Sequence, residues 1–122
     1  MLEEFSERTQ IEYRWINDIP RSVKLADHQK IGIYRIVQES LTNIVRHSGA
    51  TYLEVRATND EGRLCFEIID NGVGFDLEHS VIQKYGLLGM RERAAILNGE
   101  LTIRSALGEG TAVRICIPLM TI

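Results

Sequence analysis

The chain predicts an α+β domain in which helices cover one face of a mixed, mostly antiparallel sheet. Three observations carry that expectation. A long stretch from residue 27 to about 47 repeats its apolar residues at helical spacing. Two strand–turn–strand patterns follow, one over 52–69 and one over 101–118. A second helical stretch, 87–97, separates them. With 122 residues the chain fits a single domain, 1–122, built on one core.

Residues 1–8 pattern as a short amphipathic helix or as the end of a longer one. Ile11 to Ile16 alternates and stops at Asn17-Asp18-Ile19-Pro20, which reads as a strand and a turn. Asp27 is placed to cap the long helix, whose apolar positions are Ile33, Val37, Leu41, Ile44 and Val45. Ser48-Gly49 closes that helix, Gly49 as a left-handed cap. Strands over 52–58 and 63–69 are joined by Asn59-Asp60-Glu61-Gly62, a hairpin signal. Residues 75–85 read as a loop without a period, and the helix over 87–97 is stopped by Asn98-Gly99. The last hairpin pairs 101–105 with 111–118 across Ala106 to Gly110.

Composition removes several function classes. The chain is 44% hydrophobic and 25% charged, as expected of a soluble globular protein. Fourteen basic and 17 acidic residues give a net charge of −3 and no basic stripe, so phosphate-driven nucleic-acid binding has no electrostatic support. No apolar run approaches the ~20 residues of a membrane span. Met1-Leu2-Glu3-Glu4 lacks the basic and apolar regions of a secretory signal, so a cytoplasmic setting without direct membrane contact is expected. Cys65 and Cys116 lie in apolar, β-rich segments and read as two reduced core thiols. His28, His47 and His79 are scattered, and no Cys/His cluster has ligand spacing.

Four polar and glycine clusters remain to carry chemistry. On the long helix, Glu39, Asn43, Arg46 and His47 are spaced to share one face. Asn43 offers a neutral amide oxygen to a Mg²⁺ that phosphates also bind, and Glu39 a carboxylate for a water in the metal's shell. Arg46 offers a donor fork to phosphate oxygens and His47 one more donor. Taken alone, the same four residues describe a solvated helix face. Asp70 ends an apolar strand and is followed by Gly72 and Gly74. A carboxylate there accepts from the exocyclic amine of adenine, where guanine presents an oxygen, and the glycines let backbone approach a ring. Asp-Asn-Gly is also ordinary turn chemistry. Gly86-Leu87-Leu88-Gly89-Met90 is expected to open the second helix, with free N–H groups and a positive dipole end for an anion. Gly108-Glu109-Gly110-Thr111 reads as a hairpin turn, and the functional reading adds Thr111 as a group placed to reach a base-bound water beside Asp70. Each signal is weak. Their conjunction in one order describes a nucleotide pocket.

These phrases resemble the ATP-binding catalytic domain of bacterial sensor histidine kinases, within the wider group that includes gyrase, mismatch-repair and heat-shock chaperone ATPases. The likeness is to the kinases paired with response regulators that have a helix-turn-helix output domain. Tyr34 to Asn43 with Arg46 to Ala50 is similar to that subfamily's N box, and Asp70 to Phe75 to its G1 box. Gly86 to Arg93 is similar to the G2 segment and Gly108 to Thr111 to the last glycine box, so the likeness spans about Glu3 to Leu119.

The resemblance implies a Bergerat-type α/β sandwich that binds ATP with Mg²⁺ and has a short mobile lid over about 76–85, disordered without nucleotide. It implies that Asn43 holds Mg²⁺, that Arg46 and His47 touch phosphates, and that Glu39 is the base or metal-shell acid. By the same resemblance Asp70 reads adenine, Gly72 and Gly74 line the base pocket with Thr111 in support of Asp70, and Gly86, Leu87 and Gly89 serve the lid and phosphates. Lys84 departs from the pattern, standing where many relatives have glycine. The dimerisation domain with its phosphoacceptor histidine is missing, and neither His28 nor His79 has the acidic neighbour such a histidine shows. Residues 1–8 then read as the end of the connecting helix, and the isolated domain as a monomer with weak turnover. The implied activity is phosphoryl transfer to a histidine of that absent domain, upstream of a response regulator. The rival readings are a serine kinase of the anti-sigma type and a nucleotide-binding regulatory module without turnover.

Overall fold

The computed structural model describes residues 1–20, 22–76 and 81–119, and only the backbone within 81–86. The elements run α1 (Leu2–Thr9), β1 (Glu12–Asn17), α2 (Asp27–Asn43), a π-helical turn (Ile44–Ser48), β2 (Tyr52–Asp60), β3 (Arg63–Asp70), α3 (Val81–Ile96), β4 (Glu100–Ser105) and β5 (Thr111–Pro118). The strands form one sheet in the order β1-β2-β3-β5-β4. Only the β1–β2 pairing among them is parallel. The α+β arrangement is the one the sequence predicts.

Alternation along the strands splits the sheet into two chemically different faces. Leu53, Val55, Leu64, Ile68, Val113, Ile115, Ile117 and Ile103 share the inner face and are buried. Against them pack Ile33, Ile36, Val37, Leu41 and Ile44 from α2 and the turn after it, with Leu87, Met90, Ala94 and Leu97 from α3 and its end. The outer face carries Glu54, Arg56, Glu67 and Arg114 in adjacent registers, and Arg56 pairs with Glu54 at 2.8 Å.

Turn chemistry follows the expectation. Glu61 and Gly62, both at positive φ (51° and 80°), make the tight β2–β3 connection, as a two-residue primed turn requires. Gly49 (φ 62°) and Asn98 (φ 54°) close their helices in the left-handed conformation.

Four local expectations need correction. Asp27 is the first residue of α2 and not its cap; the end is closed by Gln29, whose Oε1 accepts the Ala26 N–H at 2.9 Å. Val45, expected on the apolar face, is 49% exposed, because the π turn inserts an extra residue into the helical repeat there. The second helix begins at Val81, so Gly86 to Met90 lies inside it, and residues 81–85 of the expected loop are helical. Its positions 77–80, including His79, lie outside the described residues. Cys65 and Cys116 are disulfide-bonded rather than free. They stand directly opposite each other on β3 and β5 on the outer face, their Cα atoms 4.1 Å apart, although 51 positions separate them in the chain.

Candidate nucleotide site

The last inner-face row of the sheet crosses Leu53, Asp70, Thr111 and Ser105 in register. It is the row at which the apolar face turns polar. A cleft opens between this end of the sheet and the two helices. Its walls are apolar, from Ile44, Ile68, Phe75, Leu87, Met90 and Val113, with Asn43, His47, Asp70 and Thr111 as polar points.

Asp70 is only 6% exposed. Burial raises its carboxyl above the usual 3.8, and N–H groups of Gly72 and Thr111 work in the opposite direction by donating to it. The Gly72 bond is 2.8 Å long. A carboxylate fixed by two backbone donors at the end of an apolar cleft is a preorganised acceptor.

The loop after Asp70 is tied down from three sides. Asn71 accepts the Thr51 and Tyr52 N–H groups on Oδ1 at 3.0 and 3.1 Å, and its Nδ2 donates to Thr51 Oγ1 at 3.0 Å. Val73 N–H donates to the Ser48 carbonyl at 2.7 Å, while the Val73 carbonyl accepts from Gly108 N–H at 2.6 Å. Phe75 N–H donates to Ser105 Oγ at 2.9 Å. These bonds demand close backbone approach, which the glycines permit. A Cβ at Gly72 would strike Ser48, and one at Gly74 (φ 66°) would fall inside the carbonyl oxygen of Ala106.

The sequence-predicted residues divide into two groups. Asn43, His47, Asp70, Gly74, Leu87 and Thr111 line the one cleft, and Gly72 holds Asp70 from behind. Gly89 is half-buried on α3 with nothing within 4 Å of where a Cβ would stand, so open space adjoins it. Gly86 is in the same helix, earlier by almost one turn. Glu39, one turn before Asn43, is half-buried and is not among the lining residues. Arg46 lies elsewhere, lining a separate depression beside Glu4 and Arg8 of α1. The π turn explains the separation: it changes the helical repeat that would keep Arg46, three residues on, and His47, four residues on, both beside Asn43.

Ser105 was not among the predicted residues. Its signal was available, since the predicted hairpin pairs 105 with 111 and so sets Ser105 opposite Thr111. Ser40 and Met90, in contact at 3.4 Å across α2 and α3, also line the cleft; only packing reveals them.

Comparison with known proteins fits this geometry. Residues 28–121 match the family described as histidine kinase-, DNA gyrase B-, and HSP90-like ATPase. The chain belongs to that family. It is 35% identical over 120 residues to the sensor histidine kinase LiaS of Bacillus subtilis, covering 98% of this chain and 32% of that protein. To the signal transduction histidine-protein kinase/phosphatase DegS of the same organism it is 33% identical over 120 residues, covering 96% and 31%. The chain thus spans about a third of the length of these relatives. Among solved structures, the histidine kinase domain of the Erythrobacter litoralis EL346 blue-light activated histidine kinase superposes with a TM-score of 0.79 at 23% identity, covering 96% of this chain and 57% of that one. The mycobacterial sensor histidine kinase MprB superposes with 0.73 at 22% identity, covering 99% and 91%. At these identities the two structures bear on the fold alone.

Proposed function

We propose that this family member binds Mg-ATP in the cleft between α2, α3 and the sheet, and acts as the catalytic domain of a cytoplasmic sensor histidine kinase. The observation that carries the reading is Asp70: a buried carboxylate held by two backbone N–H groups at the polar end of an apolar cleft. That acceptor suits the exocyclic amine of adenine, while Ile68, Val113 and Met90 provide the apolar walls for the ring. Asn43 and His47 lie on the α2 side of the same cleft, and Gly89 leaves bare backbone on α3, the helix that carries the cleft residues Leu87 and Met90.

The donor set fits a magnesium ion that arrives with nucleotide. Among the described residues no group of three or more His, Cys, Asp or Glu could enclose a metal. Mg²⁺ commonly takes only one or two protein ligands beside phosphate and water, so the Asn43 amide oxygen would hold it. Bound there, the ion would offset charge on the phosphates. His47 adds a donor toward the same phosphates, and Glu39, one turn back, would order a water of the metal's shell.

In phosphoryl transfer the protein contributes mainly position and charge stabilisation. The acceptor is a histidine nitrogen on a dimerisation domain outside this chain; it bonds to the γ-phosphorus as the bond to the β-phosphate oxygen breaks, releasing ADP. A response regulator would take the phosphoryl group onward. The isolated chain, with residues 1–8 as the end of the helix leading from that domain, is then a monomer that binds well and turns over slowly. Calorimetric titration with a non-hydrolysable ATP analogue, with and without Mg²⁺, tests the reading. Micromolar, Mg-enhanced binding that Asp70→Asn abolishes is expected. Absence of binding by the unaltered chain refutes it.

A further inference from the structure

Ser105 stands one position behind the cleft wall, at the end of β4, and its hydroxyl joins three segments. It accepts the Phe75 N–H at 2.9 Å, donates to the Gly110 carbonyl at 3.0 Å and lies 2.8 Å from Thr111 Oγ1. A serine hydroxyl has one proton and two lone pairs. With its proton on the Gly110 carbonyl and one lone pair on the Phe75 N–H, only the second lone pair is left for Thr111. The Thr111 proton therefore goes to Ser105. What Thr111 then turns toward the cleft is an acceptor and not a donor.

We infer that Ser105 is a positioning residue for nucleobase specificity: by taking the Thr111 proton it makes Thr111 and Asp70 two neighbouring acceptors that together select an amine-bearing base. The inference rests on the nucleotide-binding reading and deepens it. Adenine carries an exocyclic amine with two N–H groups, one for each acceptor, directly or through a water. Guanine offers a carbonyl oxygen at the same position, which two acceptors repel. Discrimination of this kind comes as much from penalising the wrong ligand as from favouring the right one. Without Ser105 the Thr111 hydroxyl is free to rotate and donate, and a carbonyl becomes tolerable. Asp70 and Thr111 share a sheet row with Ser105, so the wiring runs straight along the register.

The test is the ratio of dissociation constants for non-hydrolysable GTP and ATP analogues, measured for the unaltered chain, Ser105→Ala, Ser105→Thr, Thr111→Val and the Ser105→Ala/Thr111→Val double variant. Ser105→Ala is expected to lower the ratio about tenfold, which corresponds to about 1.4 kcal/mol. Ser105→Thr keeps the hydroxyl and should restore the ratio. In the Thr111→Val background Ser105→Ala should change the ratio by less than about twofold, since the two act through one hydroxyl. An unchanged ratio in Ser105→Ala, or equal weakening of both nucleotides, overturns the inference while ATP binding by the unaltered chain keeps the functional reading intact. If the unaltered chain binds neither nucleotide, both fall. Should Ser105→Ala not fold, Ser105→Cys has nearly the same volume and a weak acceptor; it should lower the ratio in the same direction, and a ratio equal to that of the unaltered chain counts against the inference.

Discussion

Gly89 sits well inside α3 (Val81–Ile96), beyond the reach of any end effect. A glycine in a helix interior costs about 1 kcal/mol relative to alanine, because it keeps more backbone freedom in the unfolded chain. Alanine usually recovers that energy only where its methyl has room. Here a Cβ would meet nothing within 4 Å, and Gly89 has no positive φ to forbid the change. Gly89→Ala should therefore stabilise the free domain by about 1 kcal/mol, or roughly 3–5 °C in Tm for a chain of this size. Leu87 and Met90 of the same helix line the cleft. If phosphates approach α3 over bare backbone, the methyl stands in their way, and affinity for the ATP analogue should fall about tenfold, or about 1.4 kcal/mol. Thermal unfolding without nucleotide and a titration at 25 °C read the two effects separately. A Tm that stays the same or drops would refute the placement of Gly89 in a helix interior. A raised Tm with unchanged affinity would refute the approach of phosphates over it.

Gly74→Ala should act in the opposite way. Its φ of 66° costs an L-residue about 1–2 kcal/mol, and the new Cβ must displace the Ala106 carbonyl, so a Tm drop of more than about 5 °C is expected in a melting curve; an unchanged Tm contradicts the close approach. Asp70 makes a pH prediction. Its carboxyl is raised above 3.8 by burial, so the folded chain favours the protonated form, and that contribution is complete below pH 3.8 and is lost as pH rises through the folded value. Denaturant unfolding across that window should show the unaltered chain losing stability relative to Asp70→Asn, then levelling off; a difference moving the other way would sink the assignment. The Cys65–Cys116 bridge spans 51 positions, and chain-entropy reasoning makes it worth about 4 kcal/mol. Reduction should lower the denaturant midpoint by a corresponding amount and release two titratable thiols, whereas an inert midpoint would show that the bridge does not hold the fold.

Local chemistry was legible in the chain, and pairwise geometry mostly was not. Gly49, Gly62 and Asn98 announced their turns because positive φ is a property of single residues and their immediate neighbours. The apolar repeat of Ile33, Val37, Leu41 and Ile44 predicted the buried face of α2 for the same reason. By contrast, the Cys65–Cys116 bond depends on the register between strands that are far apart in sequence. The start of α3 was hidden in another way. Gly86 and Gly89 look like punctuation and outweighed the start signal of Ser80 with Gln83 three residues on, yet the helix runs through both glycines. Of the candidate site, Asn43, His47, Asp70, Gly74, Leu87 and Thr111 are singled out by the sequence and line one cleft. Ser105 was missed because its role lies in its partners and not in its own identity.

Arg46 and His47 show how far one inserted residue can redistribute a site. An ideal α-helix would keep both near Asn43, two donors on one face of α2. The π turn over Ile44–Ser48 widens the last turn instead. His47 stays with Asn43 in the cleft, whereas Arg46, exposed, joins Glu4 and Arg8 on the α1 side. Under the proposed reading, charge on the nucleotide's phosphates would be met by His47, by a metal held at Asn43 and by backbone, and not by the guanidinium. His47→Ala should weaken binding of the ATP analogue about tenfold, the worth of one lost hydrogen bond to a charged group. Arg46→Ala should change it by less than about twofold, the effect of a screened, exposed charge at a distance. Equal losses from both substitutions would mean that Arg46 reaches over the turn to the phosphates, and that the π turn does not separate the two side chains when nucleotide is bound.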